Sequence, residues 1–131
     1  MGRHVVSEYM TTHPHSIEDQ ATMRQAMEMM TQHHIRHLPV RRGGKVIGIL
    51  SDRDLKLFFG ISNINPDHLK ISSISHGYPY TVAPDAPLSE VAKEMADRHY
   101  GSALVMKGEE LLGIFTTVDA CRALSELASI P

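Results

Sequence analysis

The sequence predicts a mixed α/β (α+β) fold, made of two tandem β-α-β-β-α repeats packed about a pseudo-two-fold axis. Three observations predict it. First, shifting the chain by 65 residues lays it on itself from Pro14 to Asp54 without a gap. Pro14 meets Pro79, Ala21 meets Ala86, Met30 meets Met95 and His34 meets His99. Val40, Gly43, Gly48-Ile49 and Asp54 meet Val105, Gly108, Gly113-Ile114 and Asp119. Nine of these 41 positions are identical, where average composition gives about 2 or 3. Second, each copy carries one apolar stripe at helical spacing. Third, each stripe precedes two short apolar runs joined through a glycine. One copy alone buries too little apolar area, so two copies are expected to pair face to face.

Each repeat opens on an apolar lead-in. Val5-Val6 and Tyr9-Met10 form it in the first, and Ile71 and Ile74 echo it as an extended segment. Pro14 and Pro79 exclude helix before them. Short extended pieces follow at His15 to Ile17 and at Tyr80 to Val82. Met23, Ala26, Met27 and Met30 then share one helical face, as do Leu88, Val91, Ala92 and Met95. Thr22 suits an N-cap and Pro87 a first helical turn. The hairpins pair Leu38–Val40 with Val46–Leu50, and Ala103–Met106 with Leu111–Phe115. A second helix starts near Asp54 and near Asp119. Sequentially, residues 1–60 form the first repeat, 61–78 a connector with its lead-in, and 79–131 the second repeat.

Composition narrows the function. The 131 residues suit one domain, or two halves sharing a core. A net charge of −2 gives no reason to expect nucleic acid or an anionic membrane as partner. No apolar run approaches the ~18 residues of a membrane span, and no signal-peptide core is expected. Cys121 is the single cysteine. It excludes an intrachain disulfide and fits a cytoplasmic location. No nucleophile–base pair or Walker-type phosphate loop is evident, so no enzyme is expected.

The second strand of each hairpin runs into Gly-hydrophobic-x-[Ser/Thr]-x-x-Asp. With Met10-Thr11, Pro14, Ile35-Arg36-His37-Leu38-Pro39-Val40, Gly48-Ile49-Leu50-Ser51 and Arg53-Asp54-Leu55, this pattern resembles the cystathionine β-synthase (CBS) domain. Gly101-Ser102-Ala103-Leu104-Val105, Gly113-Ile114-Phe115-Thr116 and Asp119 carry it in the second copy. The pair resembles a stand-alone Bateman module.

The resemblance implies two quasi-equivalent clefts between the repeats for adenosine-containing ligands: AMP, ADP, ATP or S-adenosylmethionine. Asp54 and Asp119 accept hydrogen bonds only, which suits a ribose diol. Ser51 and Thr116 suit ribose or phosphate. Ser16, Ile17, Thr81 and Val82 offer extended backbone to an adenine edge. Ile35, Pro39 and Tyr100 supply apolar or stacking surface. Arg36 and His37 suit phosphates, with Arg53 a weaker candidate. The second repeat has Gly101, Ser102 and Ala103 where the first has Arg36, His37 and Leu38, so it lacks the cationic pair.

The expected protein is therefore a regulatory sensor module without a required cofactor. The expected ligand is an adenine nucleotide or S-adenosylmethionine, and a homodimer signals to an unidentified regulated protein. The alternative is a constitutive homodimeric scaffold with vestigial clefts. The histidines raise a third reading, a metal site at His13 and His15 or at His33, His34 and His37. Adjacent helical histidines diverge by about 100°, and no thiolate lies near them in sequence, so no metal is expected. His34 and His99 recur at one helix end, which points to a shared structural role.

Overall fold

A computed structural model describes residues 4–60, 65–74 and 78–130. The chain forms two compact units. His15–Pro79 make one unit, and the segments up to Pro14 and from Tyr80 onward make the other. Within the described residues the mixed α+β architecture holds, with seven strands in two sheets and four α-helices.

The contiguous unit contains β2 (Ile17–Glu18), α1 (Met23–His33), β3 (His37–Arg42), β4 (Lys45–Ser51) and α2 (Asp52–Phe59), following β1 (Thr11–Thr12), which belongs to the other unit. Its sheet runs β2-β3-β4, with β2 parallel and β4 antiparallel to β3. Met23, Ala26 and Met30 of α1 are buried against Leu38, Val40 and Leu50. The discontinuous unit adds β5 (Thr81–Val82), α3 (Leu88–Arg98), β6 (Ser102–Lys107), β7 (Glu110–Thr116) and α4 (Thr117–Ala128). Its sheet runs β1-β7-β6-β5. Leu88, Val91 and Met95 pack on Ala103, Val105 and Phe115.

The lead-ins sit where sequence order does not place them. Val6 is fully buried in the core of the discontinuous unit, and Val6 N–H donates to Ala86 at 2.9 Å. Ile71 and Ile74 are buried in the contiguous unit, where Ile71 N–H donates to Ala21 at 2.8 Å. Each compact unit therefore takes the lead-in of the other repeat. The Ile71 segment is also not extended. It is a 3-10 turn, Ile71–Ser73. With three residues per turn, Ile71 and Ile74 share one face and both reach the core.

Local chemistry sets the boundaries. Thr22 caps α1 by accepting from Gln25 N–H, while the Gln25 side chain accepts from Thr22 N–H. Pro87 stands one place before its expected position, at the N-cap of α3. His34 and His99 end α1 and α3 in left-handed backbone, with φ of 54° and 60°. Their backbone N–H groups donate to Met30 and Met95 carbonyls. The recurring histidine thus marks a helix stop made by main chain. Gly43 and Gly44, both at positive φ, turn the first hairpin. Each hairpin carries a bulge at one place, leaving Ile47 and Leu112 without a cross-strand partner. Gly113 follows the second bulge and pairs with Thr12 of β1. A Cβ there would lie 2.7 Å from the Thr11 carbonyl oxygen, so only glycine lets β1 approach.

Candidate nucleotide site

In both units the β-hairpin end and the following helix form one continuous structure. β4 delivers Ser51 to the N-cap of α2, and β7 delivers Thr116 to the N-cap of α4. Both ends are capping boxes. Ser51 Oγ accepts from Asp54 N–H at 3.1 Å, and Asp54 Oδ2 accepts from Ser51 N–H at 3.0 Å. Thr116 and Asp119 repeat the exchange at 3.3 and 2.9 Å. Such a cap stabilises a helix by about 1 kcal/mol. The Ser/Thr-x-x-Asp spacing is thus explained locally before any ligand is considered.

The strand register brings the remaining residues to these ends. His37 stands opposite Ser51, and Ser102 opposite Thr116. Asp52 N–H donates to Arg36 O at 2.9 Å, and Thr117 N–H to Gly101 O at 3.2 Å. Arg36, His37, Ser51, Arg53 and Asp54 therefore gather at one end in the contiguous unit. Gly101, Ser102, Thr116 and Asp119 gather at the matching end in the other.

The two ends differ in charge. Arg36 and Arg53 are exposed and form no ion pair among the described residues. Arg36 also lines a groove of about 470 Å³ with Met27, Met30, Ile35, Asp52 and Leu55. His37 is half-buried. Burial holds its ring below the ordinary imidazole pKa, with Asp52 and Asp54 opposing and Arg36 adding to the effect. In the other unit Gly101 and Ser102 bring no charge, and Val118 stands at the position that Arg53 holds by the repeat.

The two aspartates differ in their partners. Asp54 is partly exposed, and its carboxylate accepts from Ser51 N–H alone among the described residues. Asp119 is 3% exposed. Its Oδ2 accepts from Thr116 N–H and from the Thr116 hydroxyl at 3.1 Å. Its Oδ1 accepts from the Thr11 hydroxyl at 3.0 Å and from Arg122 Nη1 at 3.1 Å. Sequence reading missed Thr11 and Arg122. The i,i+3 spacing signals Arg122, but nothing local signals Thr11.

The other predicted site residues lie deeper or elsewhere. Ile17 in β2 and Val82 in β5 are in extended backbone, each paired in parallel with the next strand. The side chains of Ile17 and Ala103 belong to the two cores, and Pro39 is fully buried. The Ser16 hydroxyl accepts from Arg41 Nε at 2.9 Å. Thr81 is exposed at the start of β5. Ile35 packs against the first core, and Tyr100 lies against Tyr80 at 5.2 Å between ring centres.

His15 and His33 stack at 3.7 Å with planes 14° apart. Stacked rings hold their in-plane nitrogen lone pairs in parallel planes, so the pair does not converge on one ion. No cluster of three or more His, Cys, Asp or Glu suited to a metal occurs among the described residues. No helix among them is long and apolar enough to cross a membrane.

The sequence matches the CBS domain at residues 6–60 and again at 71–126. The chain belongs to the CBS domain family. A chain from Vibrio cholerae, described as an acetoin utilization protein (AcuB), is 29% identical, with a TM-score of 0.86 over 99% of this chain and 100% of that one. The CBS domain pair of protein MJ0100, solved with 5′-methylthioadenosine and S-adenosyl-L-methionine, is 21% identical. Its TM-score is 0.85 over 96% and 99% of the two chains. The CBS domain of a bacterial CNNM/CorC family Mg2+ transporter, solved with ATP, is 22% identical with a TM-score of 0.79, over 92% and 87%. Among curated relatives, the A-adding tRNA nucleotidyltransferase of Geobacter sulfurreducens is 28% identical over 77% of this chain. This chain spans only 11% of that protein's length.

Proposed function

We propose that this CBS pair is a non-catalytic regulatory module that binds an adenosine-containing ligand at its hairpin ends. AMP, ADP, ATP and S-adenosylmethionine are the ligand class. The observation that carries this reading is the Asp54 end of the contiguous unit. There, a carboxylate whose Oδ1 accepts no hydrogen bond among the described residues stands beside Ser51, His37, Arg36 and Arg53. Asp54 supplies acceptors for a ribose diol, and the cations supply partners for phosphate or for a ligand carboxylate. Complexes of other CBS pairs with S-adenosyl-L-methionine, 5′-methylthioadenosine and ATP support the ligand class.

On this reading the ligand biases a homodimer, and a partner protein reads the change. Phe59 on α2 and Val118 and Leu124 on α4 are exposed apolar groups suited to a dimer surface. Calorimetric titration with AMP, ATP and S-adenosylmethionine tests the reading. Heat from at least one of them, lost in Asp54→Ala, is the expected result. That ligand should stabilise the fold by ~2.7 kcal/mol at a hundredfold excess over its Kd. Silence from all three with folded protein overturns it. The closed state of Asp119 favours a second reading for that half alone, as a structural scaffold with a vestigial ligand end.

A further inference from the structure

We infer that Arg122 and Thr11 close the second repeat to ribose, so that each chain takes a single adenosine ligand, at Asp54. The inference rests on the nucleotide reading above and adds its stoichiometry and the residues that set it.

A carboxylate offers about four lone-pair sites. At Asp119 all four are taken: two by Thr116, one by the Thr11 hydroxyl and one by Arg122. The carboxylate is also almost wholly screened from solvent. A ribose diol brings two hydroxyl donors and needs two free acceptor sites. To admit it, Asp119 must release donors that the protein already supplies, one of them charged. Arg122 and Thr11 occupy the positions that a ligand's hydroxyls would fill.

Among the described residues, Asp54 sits in the same capping box without these additions. Its Oδ1 accepts no hydrogen bond among the described residues. The repeat places Leu57 where the second copy has Arg122, and leucine has nothing to donate. His76, the counterpart of Thr11 by the repeat, lies outside the described residues. Charge points the same way, since Arg36 and Arg53 stand at the open end without an ion pair among the described residues, whereas at the closed end Gly101, Ser102 and Val118 bring no charge and Arg122 is paired with Asp119. The specificity device is therefore an internal cation and hydroxyl that saturate one aspartate of a matched pair.

Calorimetric stoichiometry tests this with AMP, ATP and S-adenosylmethionine as probes. Wild-type protein should bind one molecule per chain. The double variant Thr11→Val/Arg122→Leu should gain a second binding event. The reciprocal change Leu57→Arg should weaken the first event by at least about tenfold, by giving Asp54 its own competing guanidinium. Leu57 is 64% exposed, so this change leaves the core intact, and far-UV circular dichroism checks each variant. Two equal sites in wild type overturn the inference. So does a double variant that still binds once, or a Leu57→Arg protein that binds as wild type does. Silence of wild type toward all three probes overturns the nucleotide reading itself, and this inference with it.

Discussion

The Asp54 end and the Asp119 end are the same motif in two conditions. Each has a bulged hairpin, a hydroxyl N-cap and an aspartate three residues on. The backbone exchange between cap and aspartate is the same within a few tenths of an ångström. What differs is what arrives from outside the motif. Thr11 and Arg122 reach Asp119, and no equivalent donor among the described residues reaches Asp54. On the proposed reading, what sets a ligand-binding aspartate apart is the acceptor capacity its neighbours leave unused. The motif that holds it does not settle the matter.

The largest expected effect sets the two aspartates against each other. Asp119→Ala removes the acceptor of four hydrogen bonds, two from Thr116 and one each from the exposed residues Thr11 and Arg122, and should cost about 2 kcal/mol. Asp54→Ala removes one cap and should cost about 1 kcal/mol. Urea unfolding measures both, and equal losses would break the comparison.

A smaller effect is expected from pH. Burial favours the neutral ring of His37, so the unfolded chain takes up the proton first as the solution acidifies. This contribution is therefore flat above about pH 6.5 and lowers stability as the pH falls below it. His37→Gln should remove that part of the slope below about pH 6.5. Ser102, at the matching place in the other unit, does not titrate in this range. An unchanged slope would show that His37 is not the responsible group.

The smallest effect concerns Arg122. Its side chain is 63% exposed, so its ion pair with Asp119 is screened on one side. Arg122→Leu should shift unfolding by no more than about 0.5 kcal/mol. A much larger loss would mean that Arg122 serves stability ahead of specificity.

Local signals made much of this readable from the sequence. The Met and Leu stripes, the Gly43-Gly44 turn and the Ser/Thr-x-x-Asp boxes each depend on residues within a few positions. The match of one repeat to the other is readable too, because it compares residue types at a constant offset and needs no contact. The long-range features were not readable. Thr11 and Asp119 are 108 residues apart, and nothing near Thr11 marks it as a partner. The same holds for the lead-ins, since Val6 and Ile71 are apolar wherever they pack. The extended form expected for Ile71–Ile74 failed because four residues are too few to separate a period of two from a period of three. His34 and His99 were correctly singled out as a repeated position. Their left-handed backbone makes the position special, and histidine is among the few non-glycine residues enriched in that conformation.

The exchange of lead-ins sets an order of events as the chain emerges from the ribosome. His15–Pro79 is contiguous, and that unit has all its strands once Pro79 is available. The other unit has to wait. Thr11 and Thr12 have no ladder partner until Gly113 and Ile114 have been made, and Val6 has no core until α3 and β7 exist. Val6, Thr11 and Thr12 are thus made well before their partners and wait for them. Their closure spans about a hundred residues of chain, a contact order that slows folding. The same wait delays Asp119, whose Thr11 partner arrives only with that closure.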